Sequence, residues 1–256
     1  MSKSIPVVVL SIDKKLGIKI TGITNGIDSE KYLPEKKEIS LLPYEYSPGK
    51  CQLEGKYANR QYFLEHYASR NACLDEYPEI RKYGFISTTN ESEKTVYVSY
   101  HGRIVSQKGI DILQKAAVLL LEENLNIRFI FMGQGEQFLE KALAGISERY
   151  TGRCVYLLGY ERALTRLCTA AADFAVFPSN FEPCGLEDFI AQIYGTLPVA
   201  HATGGLCKII DEVKEIIDAA IKHVDKKNMG HFMDMLLGRR YDDEDNIILS
   251  EKDFIF

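Results

Sequence analysis

The sequence predicts an α/β protein built on a doubly wound parallel sheet. Two observations carry that expectation. From residue 95 to about residue 205, strand-like and helix-like segments alternate without a break. The strand-like segments are also apolar nearly throughout, as expected of strands covered by helices on both faces.

The elements follow in order. "TVYVSY" from residue 95 reads as a strand, and "GIDILQKAAVLLLEEN" as a helix with Ile110, Leu113, Ala117, Leu120 and Leu121 on one face. "IRFIFMG" is a second buried strand, "EQFLEKALAGISERY" a helix and "CVYLLG" a third strand. "ERALTRLCTAA" is a helix and "DFAVFPS" a fourth strand. "GLEDFIAQIYG" is a helix closed by Gly195, and "LPVAH" a fifth strand.

The flanks are less regular. Residues 23–94 mix Pro, Gly, charge and aromatics, with "YANRQYFLEHY" and "NACLDEYPEI" expected as helices against the sheet. Beyond residue 210, Val213, Ile216, Ile217, Ala220, Ile221 and Val224 fall at helical spacing, followed by a basic cluster and an acidic end.

Composition narrows the function classes. The chain has 256 residues, 46% hydrophobic and 26% charged, which fits a globular protein. A formal net charge of -5 argues against non-specific nucleic-acid binding. No apolar run approaches the ~20 residues that span a bilayer, and no cleavage pattern follows the apolar N-terminal patch. No membrane partner and no signal peptide are therefore expected. The six cysteines lack any C-x-x-C pair, and the five histidines lack ligand spacing. Reduced, mostly buried thiols in a cytoplasmic protein without a metal site or cofactor are expected.

In a doubly wound sheet, ligands bind beyond the carboxyl ends of the strands. The residues there share a theme. The first strand is followed by "HGRIVSQKG" with Arg103 and Lys108, the second by "GQGE" with Gly133 and Gly135, and the third by Tyr160. The fourth leads into "PSNFEPCG" and the fifth into "ATGGL" with Thr203, Gly204 and Gly205. Two cations on one loop neutralise phosphate oxygens, glycines let backbone approach a ligand, and helix N-termini favour anions. Each piece alone also has a plain reading: exposed charges, an ordinary turn, or a tyrosine capping the sheet edge. "GQGE" lacks the third glycine of a dinucleotide fingerprint. The coincidence of all five at equivalent places points to an anionic, diphosphate-bearing ligand. No Walker loop, hydrolase elbow or H-E-x-x-H is present.

"GITNGID", "GRIVSQKGIDIL", "GQGE", "GY" at Gly159, "PSNFEPCGLED", "YGTLPV" and "ATGGL" run in a characteristic order. In that order and spacing, roughly residues 15 to 207 resemble bacterial glycogen synthases and plant starch synthases. The resemblance implies the Rossmann-like, nucleotide-sugar-binding C-terminal domain of a GT-B fold. It implies a retaining glucosyltransferase that moves glucose from ADP-glucose to the non-reducing end of an α-1,4-glucan. Arg103 and Lys108 would hold the diphosphate and stabilise its developing charge without a metal. Glu182 would engage glucose hydroxyls, and Tyr160 would pack on the adenine. The backbone of Cys184, Gly185 and Leu186 would contact sugar and phosphate, with Gly204 and Gly205 closing the pocket. The leaving diphosphate would take the acceptor's proton, so no protein nucleophile is needed.

The same resemblance implies a domain plan. Residues 1–22 would be a remnant of the family's N-terminal domain, 23–94 a linker region and 95–210 the nucleotide-sugar-binding domain. Residues 211–256 form a tail that departs from the family pattern. The rest of the N-terminal domain would have to come from a separate chain. Three departures stand out: the missing N-terminal domain, the loss of the pattern after Leu206, and "GLED" where many members have "GLTQ". Glu187 in that motif has two readings, a carboxylate turned to solvent or one that repels phosphate. Position 190 is Ile, so the second glutamate with which many related enzymes grip ribose is absent. Two competing readings remain, a catalytically silent module binding nucleotide sugar or a partner chain, and the same chemistry with UDP-glucose.

Overall fold

The computed structural model describes residues 26–88, 95–123 and 126–207. The segments read as a domain remnant (1–22) and as a charged tail (211–256) lie outside the described residues.

Six strands form one sheet: β1 (Arg81–Ile86), β2 (Val96–His101), β3 (Ile127–Gly133), β4 (Arg153–Leu158), β5 (Phe174–Phe177) and β6 (Leu197–Ala200). Their spatial order is β1-β4-β3-β2-β5-β6. All neighbouring pairs from β4 to β6 are parallel, and β1 alone runs antiparallel, on the edge beside β4. Helices α2 (Ile110–Glu122), α3 (Gln137–Arg149), α4 (Arg162–Ala171) and α5 (Glu187–Ile193) make the crossovers, and α1 (Glu54–Phe63) precedes the sheet. The expected strand–helix series from residue 95 is present element by element.

The sheet is mixed, and β1 is the reason. "RKYGFI" carries Arg81, Lys82 and Gly84, so it has neither clean alternation nor an apolar run. Its pairing with β4 from Arg81↔Leu158 to Ile86↔Arg153 supplies what its own pattern lacks. "NACLDEYPEI" is a succession of turns and contains no helix. Pro78 lacks the N–H a helix needs there and disfavours helical backbone at Tyr77. "YANRQYFLEHY" is helical, as α1 and a π-helical extension over Leu64–Ala68.

Adjacent residues of the central strands feed opposite cores. Phe129 and Phe131 of β3, with Val98 and Tyr156, pack under Leu113, Ala117 and Leu120 of α2 and Leu139 and Leu143 of α3. Ile130 and Met132, with Tyr97 and Val155, pack under Phe63 of α1 and Leu164, Leu167 and Ala171 of α4. The strands must therefore be apolar at every position, and losing one such buried ring costs about 3–5 kcal/mol.

The aromatic-rich stretch before residue 95 is bolted to this sheet by buried charge. Arg60 of α1 pairs with Asp173, donates Nε to the Ala171 carbonyl at 2.6 Å and lies 4.7 Å over the Tyr97 ring. Lys56 Nζ donates to the Ala170 carbonyl (2.9 Å), the Tyr194 carbonyl (3.3 Å) and Thr196 Oγ1 (2.8 Å). Burial first, and then the Arg60 charge, pull its ammonium down to about 7, with Asp173 opposing.

The thiols depart from expectation. Cys154 and Cys168 are buried, Cys51 and Cys73 are exposed, and Cys184 lies between. The exposed pair sits in the irregular first third, outside its helices and strands. All five are free thiols.

Candidate functional site

Strand order reverses at β2, since the chain builds outward to β3 and β4 on one side and to β5 and β6 on the other. The crevice beyond the carboxyl ends of β2 and β5 is thus the topological switch point. Two loops meet there. Asn180 donates its backbone N–H to the Gln107 carbonyl (2.9 Å) and Nδ2 to the Ser106 carbonyl (3.0 Å), and Gln107 Nε2 returns a bond to the Phe181 carbonyl (3.0 Å).

Between the two loops lies a cavity of ≈ 210 Å³. Arg103, Lys108, Glu182, Gly185 and Leu186 line it, five residues that the sequence nominated separately. Lys108 Nζ pairs with Glu182, whose Oε2 also accepts from Ser179 Oγ at 3.3 Å. Arg103 is exposed and has no ion-pair partner among the described residues. The wall therefore offers one committed cation, one available cation and the carboxylates of Glu182, Glu187 and Asp188. The cations suit an anion and the carboxylates suit hydroxyl groups.

The remaining nominated residues lie elsewhere. Gly133 has φ 147°, and a Cβ there would overlap the Gly102 carbonyl oxygen; at Gly135 it would overlap that of Ile104. The "GQGE" glycines thus let the β3 loop press against the β2 loop, with Ile104 N–H donating to Gln134 (2.9 Å) and Glu136 N–H to Ile104 (2.7 Å). Gly204 and Gly205 act alike at the other side, where the Gly205 N–H donates to the Glu182 carbonyl at 2.6 Å. Thr203 Oγ1 reaches the Asn180 carbonyl at 3.4 Å. These glycines hold the loops that carry Arg103 and Glu182 and do not line the cavity. Tyr160 is 67% exposed beyond β4, and Cys184 is partly exposed behind the wall.

Sequence reasoning passed over His101. It is the last residue of β2, buried at 4% exposure on the cavity floor, and its Nε2 lies 3.0 Å from Glu187 Oε2. Its place directly before Gly102 and Arg103, at the end of a strand, was the available signal. Glu187 keeps about half of its side chain exposed to solvent, as one of its two readings expects, and pairs with His101 as well. Burial raises its carboxyl, but the hydrogen bond and charge of His101, with Lys108 and Arg166, prevail and hold it below the usual range.

A family model described as glycosyl transferases group 1 matches residues 95–234. This chain belongs to that family. It is 31% identical over 198 residues to a glycogen synthase of Hydrogenovibrio crunogenus, covering 77% of this chain and 36% of that protein. It is 32% identical over 197 residues to glycogen synthase 2 of Nitrosococcus oceani, covering 77% and 35%. It thus spans about a third of the length of the curated relatives it matches. The catalytic domain of starch synthase IV from Arabidopsis thaliana, bound to ADP and acarbose, superposes with a TM-score of 0.63 at 24% identity. That likeness covers 90% of this chain and 47% of the other. At such identity it speaks for the fold, the Rossmann-like sheet expected of one half of a GT-B glycosyltransferase. Among the described residues, no helix is long and apolar enough to cross a membrane.

Proposed function

We propose that this chain is the donor-binding half of a retaining glucosyltransferase of the glycogen and starch synthase type. The donor is ADP-glucose and the acceptor the non-reducing end of an α-1,4-glucan. The observation that carries this reading is the convergence of Arg103, Lys108 and Glu182 on one cavity at the sheet's switch point. Arg103 and Lys108 bind the diphosphate and stabilise the charge that grows on it as the glycosidic bond breaks. Glu182 accepts hydrogen bonds from glucose hydroxyls, with the backbone of Gly185 and Leu186 against the sugar. The departing diphosphate takes the acceptor's proton, which leaves no role for a protein nucleophile. The loops held by Gly133, Gly135, Thr203, Gly204 and Gly205 set the positions of these groups, and the exposed Tyr160 ring offers a face to the adenine.

Acceptor binding is assigned to an N-terminal domain of the kind the family carries. The relatives are about three times as long as the matched region. The second reading is a module that binds nucleotide sugar without turning it over.

Calorimetry with ADP-glucose, ADP and UDP-glucose tests the donor assignment. Binding of the adenine nucleotides with weaker UDP-glucose binding is expected, and absence of any nucleotide binding rejects it. Radiolabel transfer onto glycogen, with and without an added N-terminal domain, separates the enzyme from the silent module.

A further inference from the structure

Arg103 and Lys108 stand at the two ends of one short loop, and little inside that loop fixes it. Of residues 103–108 only Ile104 is buried. The backbone makes a single 3₁₀ turn over Ser106–Lys108, closed by Lys108 N–H to the Val105 carbonyl (2.9 Å) and Gly109 N–H to the Ser106 carbonyl (3.1 Å). Cations on a loose loop bind an anion weakly, because ordering the loop opposes binding. What holds this loop must come from neighbouring segments.

Ser106 is the point of attachment. Its N–H donates to Glu136 Oε1 (3.2 Å) and its Oγ to Glu136 Oε2 (2.6 Å), so both carboxylate oxygens close on one residue. Glu136 also donates its own N–H to the Ile104 carbonyl (2.7 Å), and so grips the loop through backbone and side chain at once. From the other side, Asn180 Nδ2 meets the Ser106 carbonyl (3.0 Å). Glu136 closes the "GQGE" motif, whose glycines bring the β3–α3 loop against the β2–α2 loop. Neither Ser106 nor Glu136 lines the cavity. A hydroxyl bond to a carboxylate belongs to the strong, charge-assisted class, and a grip by both oxygens fixes direction as well as distance.

We infer that Glu136 is a positioning residue of the donor pocket: through Ser106 its carboxylate sets the loop on which Arg103 and Lys108 meet the diphosphate. The inference rests on the donor assignment above. Charge alone argues the other way, since a carboxylate near a phosphate site repels the ligand. Removing Glu136 therefore has opposite signs under the two accounts. Binding weakens if Glu136 positions the cations, and tightens if its charge is what the ligand senses.

Calorimetry of the full chain with ADP-glucose and ADP compares the wild type with Glu136→Ala, Glu136→Gln, Ser106→Ala and the double variant Glu136→Ala/Ser106→Ala. Glu136→Ala is expected to weaken both ligands about tenfold and by the same factor, because both carry the diphosphate. Glu136→Gln keeps an acceptor oxygen for Ser106 while removing the charge, and should bind within about threefold of the wild type. The double variant should lose much less than the product of the single losses. Thermal midpoints should stay within about 2 °C of the wild type, since the Ser106–Glu136 contact lies at the surface. Unchanged or tighter binding by Glu136→Ala, failure of Glu136→Gln to restore affinity, or additive losses overturn the inference while leaving the donor assignment intact. A loss for ADP-glucose that spares ADP does the same, because it moves the effect to the sugar. A midpoint lowered beyond that range assigns the loss to general destabilisation and also overturns the inference. No binding of either ligand by the wild type overturns both the inference and the donor assignment.

Discussion

Lys108 and Glu182, 74 residues apart in the chain, form an ion pair across the cavity between the β2–α2 and β5–α5 loops. The lysine proposed to hold phosphate is thus engaged by the carboxylate proposed to hold glucose. A diphosphate must therefore draw Lys108 away from Glu182, and a glucose moiety must give Glu182 new partners. The complete donor satisfies both demands, whereas ADP satisfies one. Glu182→Gln is expected to tighten ADP binding about threefold or more by freeing Lys108, and to abolish any preference for ADP-glucose over ADP. Competition calorimetry with the two ligands measures both effects.

Removing the cations acts in the opposite direction. Arg103→Ala and Lys108→Ala should each weaken ADP-glucose by about 10–150-fold, the value of a hydrogen bond to a charged group. Arg103 is the stronger test because no ion pair occupies it among the described residues. Unchanged affinity in both variants would place the phosphate elsewhere.

Gly133→Ala tests the loop packing that supports the site. The added Cβ meets the Gly102 carbonyl oxygen and the backbone sits at φ 147°. A loss of about 2–4 kcal/mol in stability is expected, read as a lower midpoint in urea. Donor affinity should fall as well, since Gly102 adjoins Arg103. A variant as stable as the parent would show that the two loops part freely.

Breaking the buried pair beneath α1 should detach the first third of the described chain from the sheet. Arg60→Met leaves Asp173 without its guanidinium and costs about 3 kcal/mol. Limited proteolysis should then cut first between residues 26 and 80. Protection equal to the parent's would assign the docking to the apolar contacts of Phe63 and Leu64 instead.

Lys56 gives stability a pH dependence of known sign. Its ammonium titrates near 7 in the folded chain, against 10.5 when unperturbed. Between those values the unfolded state binds more protons than the folded one, so the Lys56 contribution to stability rises with pH through that window. The thermal midpoint of the parent minus that of Lys56→Met should therefore climb from about pH 7 to about pH 10. A constant or falling difference contradicts the burial assigned to this amine.

Local pattern was sufficient for much of the architecture. The strands from residue 96 onward are apolar at successive positions because both faces are covered, and helices such as α2 show their buried stripe at 3.6-residue spacing. Those periodicities are properties of neighbouring residues, and so are the strand-end motifs that brought Arg103, Lys108 and Glu182 forward. β1 was illegible for the converse reason. Its pairing partner lies more than 70 residues later, at Leu158 for Arg81, and nothing within "RKYGFI" announces it.

The site divides along the same line. Residue types at strand ends identified which groups carry charge and which carry none, since those are local chemistry. Their partners are set by long-range packing: Lys108 with Glu182, Glu187 with His101, and the glycines of "GQGE" and "TGG" with opposing carbonyls. A glycine at a strand end reads the same in sequence whether its missing side chain admits a phosphate or another loop. A carboxylate at a helix start reads the same whether or not a buried histidine stands beside it. What occupies the space across from each residue distinguishes these cases, and that space is built by segments up to 86 residues away, the separation of His101 from Glu187.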